Sequence, residues 1–89
     1  MRLDKYLKVS RLIKRRTVAN EACDAGRVLV NGKAAKPGLE IKPEDVNQIR
    51  FGNRELKVRV KLVKETVRKE EAETMYEYLG DTKGEAFTP

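Results

Sequence analysis

The chain has 89 residues, 38% charged and 39% hydrophobic, with 20 Lys and Arg against 14 Asp and Glu for a net charge of +6. That length fits one small domain and excludes two independent cores. It holds no histidine and one cysteine, which removes the commonest general base and metal ligand together with any internal disulfide, disfavours an enzyme, a metal site or a cofactor, and fits a reducing cytoplasm.

Leu3, Tyr6, Leu7 and Ser10 fall at helical spacing. Leu3 to about Val9 is therefore expected to form a short helix with one apolar stripe, Lys5 and Lys8 pointing away from it and Arg2 on its flank. Leu12 and Ile13 give a second apolar anchor between cations. Thr17 is the expected N-cap of a second helix carrying Val18, Ala19, Ala22, Cys23 and Ala25, with Gly26 as its stop. Arg27 to Val30 reads as a strand, Asn31-Gly32 as a tight hairpin turn, and Ala34-Ala35 as the return strand. Pro37-Gly38 and Pro43-Glu44-Asp45 mark two further turns. Val46–Phe51 reads as a strand turned by Gly52-Asn53. The next stretch alternates cleanly, with Leu56, Val58, Val60 and Leu62 on one face and Lys57, Arg59 and Lys61 on the other. From about Val67 to Leu79 the spacing of Val67, Ala72, Met75, Tyr76 and Leu79 predicts a last helix ended by Gly80. The expected organisation is one folded unit over residues 1–64, a C-terminal helix over 65–80 and a flexible tail over 81–89.

The charge is polarised. Residues 1–36 hold ten basic and three acidic residues, whereas residues 65–89 hold three and seven. The first 16 residues alone carry seven cations and one anion. Such density is self-repelling unless a polyanion is the partner. A membrane surface would also call for exposed Trp or Phe on an amphipathic helix; the chain has no Trp, no apolar run of about 18 residues and no apolar signal-peptide core.

Cys23, among alanines and with no histidine to activate it, reads as a small core residue. Glu70, Glu71, Glu73 and Glu77 read as solvated charge. The isolated glycines form no phosphate-cradling loop. What remains is the cationic helix pair. The free N–H groups and positive end of the second helix lie beside Arg15, Arg16 and Thr17, where a phosphate is expected. Asp4 is expected to clamp the two helices by pairing with an arginine such as Arg16, to orient an arginine that also meets RNA, or both. A DNA-reading helix-turn-helix is disfavoured, because the second helix is acidic at Glu21 and Asp24 and poor in base-edge donors. Structured RNA fits better.

Arg2-Leu3-Asp4-Lys5-Tyr6-Leu7, then Arg16-Thr17-Val18-Ala19, then Gly26-Arg27-Val28-Leu29-Val30-Asn31-Gly32-Lys33, resembles the alpha-L RNA-binding motif of the small-subunit ribosomal protein S-four type. Asp45 and its following strand resemble the family's Gly-Asp turn, with Glu44 in place of the glycine. Arg15 stands where serine is common, and Cys23 where Leu or Ile is usual. The resemblance implies an α+β fold, with two N-terminal helices on a small twisted antiparallel sheet plus the C-terminal helix. It also implies an RNA surface of Arg2, Lys5, Lys8, Arg11, Lys14, Arg15, Arg16, Thr17, Arg27, Asn31 and Lys33, with Asp4 as an orienting residue. Among stand-alone members, Leu7 to Ala19 and the Glu70-Glu71-Ala72 to Met75-Tyr76 stretch look closest to the RqcP (YabO) type, which serves bacterial ribosome-associated quality control. That likeness implies large-subunit rRNA, peptidyl-tRNA and an RqcH-type alanine-tailing factor as partners, and a monomer in the cytoplasm. Three alternatives stay open. One is the small heat-shock type that rescues large subunits with stranded peptidyl-tRNA, although its members typically carry a tryptophan and a basic tail. A second is a general rRNA assembly protein. A third is an accessory subunit meeting its partner through an acidic last helix, for which removal of residues 65–89 would spare RNA binding.

Overall fold

The computed structural model describes residues 1–83, with side chains to Gly80. Helix α1 spans Leu3–Val9 and buries Leu3, Tyr6 and Leu7 completely, each contributing roughly 2 kcal/mol of apolar burial. Ser10 caps its C-terminus, and Arg11 follows in the left-handed region at φ 65°. That is the position where a helix end ordinarily takes glycine. Ile13 then tucks into the core, its N–H donating to the Leu7 carbonyl at 3.0 Å.

Helix α2 spans Arg16–Asp24 and buries Ala19 and Cys23. Its N-cap is Arg15, extended at φ −123° and ψ 137°, with no side-chain cap. The expected cap at Thr17 is thus displaced. Thr17 already lies inside the first turn, and an N-cap residue must keep non-helical backbone angles. The far end closes as expected. Gly26, at φ 76°, donates to Cys23 O at 3.0 Å and Arg27 N–H to Ala22 O at 2.9 Å, the paired bonds of a Schellman ending.

Five antiparallel strands follow in the order β2-β1-β3-β4-β5: β1 Val28–Val30, β2 Lys33–Ala34, β3 Val46–Phe51, β4 Arg54–Val60 and β5 Tyr76–Lys83. Asn31 (φ 53°) and Gly32 (φ 85°) both take positive φ between β1 and β2, the two-residue turn that the Asn-Gly pair favours. The Asn31 amide then locks that turn to the start of β3. Its Nδ2 donates to Asp45 Oδ1 at 3.1 Å, and its Oδ1 accepts the Val46 N–H at 2.9 Å. Residues 36–45 are ordered by the N-terminus. Leu3 and Asp4 donate to the carbonyls of Leu39 (2.8 Å) and Pro37 (3.1 Å), and Ile41 N–H donates to Met1 O at 3.0 Å.

The C-terminal third departs from expectation. A short 3-10 helix, Lys69–Met75, holds only part of the predicted helix, and Tyr76–Lys83 is a strand registered on β4 from Val60↔Tyr76 to Arg54↔Lys83. The helical spacing of Ala72 and Met75 is real, and both are buried. Beyond Met75, the unpaired edge of the seven-residue β4 offers backbone partners that outweigh local helical spacing. Asp81–Lys83, expected in the flexible tail, end this strand; residues 84–89 lie outside the described residues. Strand β4 stops at Val60, which leaves Leu62 exposed rather than on the buried row. The core lies between the helix pair and one sheet face. It joins Leu3, Tyr6, Leu7 and Ile13 to Val28, Val30, Ile49, Val60 and Met75. Tyr6 spans it, its hydroxyl donating to Met75 O at 2.7 Å.

Candidate nucleic-acid interface

The first turn of α1 buries one carboxylate beneath an exposed cationic surface. Asp4 is 2% exposed. It accepts hydrogen bonds from Arg2 Nε (3.2 Å) and Nη2 (3.3 Å), from Asn20 Nδ2 (3.2 Å) and from Arg16 Nη2 (3.5 Å). Burial by itself pushes this carboxyl up, but the hydrogen bonds from Arg2 and Asn20 and the charges of Arg16 and Arg2 outweigh it and hold the group below its ordinary value. Both guanidiniums remain about half exposed. Each has five N–H donors in a rigid fork, and Asp4 occupies only some of them. A buried acid therefore fixes the orientation of two exposed arginines whose outer donors face solvent. Thr17 and Glu21 complete the rim of this shallow depression of about 460 Å³.

Arg2, Arg16 and Thr17 are thus brought together at the start of α2. Arg15 is exposed beside them as the N-cap. Asn20 was not expected in the site, although its place four residues after Arg16 puts both on one helix face.

Lys8, Arg11 and Lys14 gather elsewhere, around a groove of about 570 Å³ between the end of α1 and the segment 65–69. Lys5 is half-buried and paired with Glu65. The Glu65 carboxyl is held below its ordinary range by the Lys5 hydrogen bond and charge, then by the N-terminal ammonium and Arg16. The hairpin residues form a third group. Lys33 lines a concavity of about 670 Å³ with Lys36 and Lys42, two cations absent from the expected site. Arg27 is exposed at the α2–β1 junction, and Asn31 has both ends of its amide engaged in the turn lock. Cys23 is buried, its thiol pushed up to about 11 by burial and by the charges of Asp4 and Asp24; it is a packing residue. Among the described residues, no helix is long and apolar enough to cross a membrane.

The S4 domain profile matches residues 1–47, more than half of the chain and the whole unit that carries Asp4, Arg2 and Arg16. The chain belongs to the S4 domain family. Within the S4 family it is similar to the "RQC P-site tRNA stabilizing factor" of Halalkalibacterium halodurans, at 61% identity over 77 residues, covering 86% of this chain and 88% of the relative. The protein of the same name from Streptococcus pneumoniae is 54% identical over 85 residues, covering 96% and 97%. Among solved S4-like structures, the trimeric Heat Shock Protein 15 of Vibrio cholerae superposes with a TM-score of 0.83 at 29% identity, covering 89% of this chain and 81% of that one.

Proposed function

We propose that this chain is an RNA-binding factor of bacterial ribosome-associated quality control. It grips the rRNA of the obstructed large subunit together with peptidyl-tRNA, and so supports alanine tailing of stalled nascent chains by an RqcH-type factor in the cytoplasm. The observation that carries this reading is the Asp4-anchored arginine pair of an S4 domain whose relatives bear the name of a P-site tRNA stabilizing factor. Preorganised guanidinium forks lose little freedom on meeting phosphate, so the pair binds without first having to be ordered. The chain is no enzyme on this reading. It stabilises a bound state between elongation cycles, acting as a monomer.

The likeness to Heat Shock Protein 15 favours a second reading, a rescue or recycling factor for large subunits with stranded peptidyl-tRNA. Gradient sedimentation of the tagged chain separates these. The proposed role requires co-migration with free large subunits that carry peptidyl-tRNA, together with loss of C-terminal alanine tails when the gene is deleted. Unchanged tails with the same co-migration favour the rescue reading. Migration with large subunits regardless of whether they carry tRNA favours a general assembly protein.

A further inference from the structure

Several cations on and beside the sheet are paired with acids, whereas those around the end of α1 are not. On β3 and β4, Arg50 faces Glu55 at 3.6 Å, and Arg59 pairs with Glu77 at 3.0 Å. Just past β4, Lys61 pairs with Glu44 at 3.2 Å. Around the groove at the end of α1, Lys8, Arg11, Lys14 and Lys69 have no ion-pair partner among the described residues, and the acid that lines it, Glu65, is engaged by Lys5. Four unneutralised cations around a concavity focus positive potential far more than the same charges on a flat, paired surface. Val9 and Val67, both half-buried, give the groove an apolar part. Its volume of about 570 Å³ is that of a small-ligand pocket.

We infer that this groove is a second RNA site, separate from the Asp4 patch, which seats an unstacked nucleotide with its base against Val9 and Val67 and its flanking phosphates among Lys8, Arg11, Lys14 and Lys69. The ligand is single-stranded RNA, because a base paired within a helix cannot reach an apolar surface of this kind. Lys69 lies beyond the matched S4 region, residues 1–47, so the segment after β4 contributes to recognition. The inference rests on the RNA-binding reading above and specifies its ligand.

Two labelled probes test it with the full chain: an RNA stem-loop carrying a short single-stranded tail, and the same stem-loop without the tail. Lys69→Glu and Lys64→Glu change the net charge equally, but the exposed Lys64 does not line the groove. Lys69→Glu is expected to lose about tenfold on the tailed RNA and to leave the untailed RNA within about twofold; Lys64→Glu is expected to stay within about twofold on both. Lys14→Glu, on the opposite wall, should reproduce the Lys69→Glu pattern. Equal losses for Lys69→Glu and Lys64→Glu, or equal losses of Lys69→Glu on both probes, overturn the groove assignment. So does a Lys69→Glu variant that loses binding to a polyglutamate peptide but keeps the tailed RNA. Arg16→Glu serves as the separate control. It should weaken both probes, and if it weakens neither while Lys69→Glu behaves as expected, the Asp4 patch fails and the groove stands.

Discussion

Asp4→Asn isolates the contribution of a single buried charge. The substitution keeps the side chain's shape, but one of its oxygens becomes a donor facing groups that are themselves donors. The wild-type carboxylate accepts four hydrogen bonds, three of them from arginines. A hydrogen bond to a charged group contributes about 1.5–3 kcal/mol in dry surroundings, but both guanidiniums are half in solvent, which reduces each arginine's share to about 0.5–1 kcal/mol. Adding about 1 kcal/mol for the mismatch left at the buried position gives a loss of about 2–3 kcal/mol, or roughly 12 °C in Tm for a domain of this size. RNA affinity should fall about tenfold as the two forks lose their fixed orientation. The pH dependence gives an independent check. The folded carboxyl titrates below its ordinary value of 3.8, since burial, which raises it, is outweighed by the Arg2 and Asn20 hydrogen bonds and the charges of Arg16 and Arg2. A depressed carboxyl stabilises the fold fully above its unfolded value, and that stabilisation is lost as the pH falls through the folded one. Thermal melts followed by circular dichroism should therefore show a wide gap between wild type and variant at neutral pH that closes below about pH 3.8. A gap of under about 2 °C at neutral pH, or one that persists unchanged into acid, would refute the role given to Asp4.

Arg16→Glu replaces a phosphate partner with an anion and should cost about 2 kcal/mol, near 30-fold, in RNA affinity with an unchanged circular-dichroism spectrum; an equal affinity removes Arg16 from the interface. Arg11→Gly should relieve the left-handed backbone at φ 65° and raise stability by a net 0.5–1 kcal/mol or about 4 °C, while weakening RNA binding. A lower Tm would contradict it. Tyr6→Phe removes the hydroxyl donated to Met75 O, a carbonyl that also accepts the N–H groups of Lys61 (2.8 Å) and Leu62 (3.2 Å). The loss should stay near 1 kcal/mol, read from denaturant midpoints. Asn47 is fully buried on β3, and neither polar atom of its side chain has a partner among the described residues. Asn47→Leu should raise the denaturant midpoint by about 1–2 kcal/mol equivalent, and a fall would mean that the amide is satisfied in solution.

What could be read from the sequence was local. The α1 stripe of Leu3, Tyr6 and Leu7, the Gly26 ending and the Asn31-Gly32 turn each depend on residues within one or two turns of each other, and all stand where expected. The α1–α2 charge cluster was legible as well, including Asp4 beneath it. What escaped depended on distant segments. Strand β5 exists because β4, sixteen or more residues earlier in the chain, presents an open edge. The shape of residues 36–45 is imposed by pairing with the N-terminus. Lys69 reaches the groove only because residues 61–68 cross beside α1, and no periodicity records such a crossing. Thr17 failed as a cap for a subtler reason. The helix begins two residues earlier than its hydroxyl would favour, which leaves that hydroxyl on the rim of the arginine depression.

Strand β5 also changes what a deletion experiment can mean. The acidic end of the chain invites removal as though it were an appendage, with any lost activity credited to a missing partner. Cutting at residue 64 would instead strip the fifth strand, take Met75 from the core and remove the carbonyl that receives Tyr6. A bare row of backbone donors and acceptors along β4 is an invitation to self-association. Such a fragment would report on aggregation before it reported on the ribosome, and point substitutions on the outward side of β5 are the cleaner instrument.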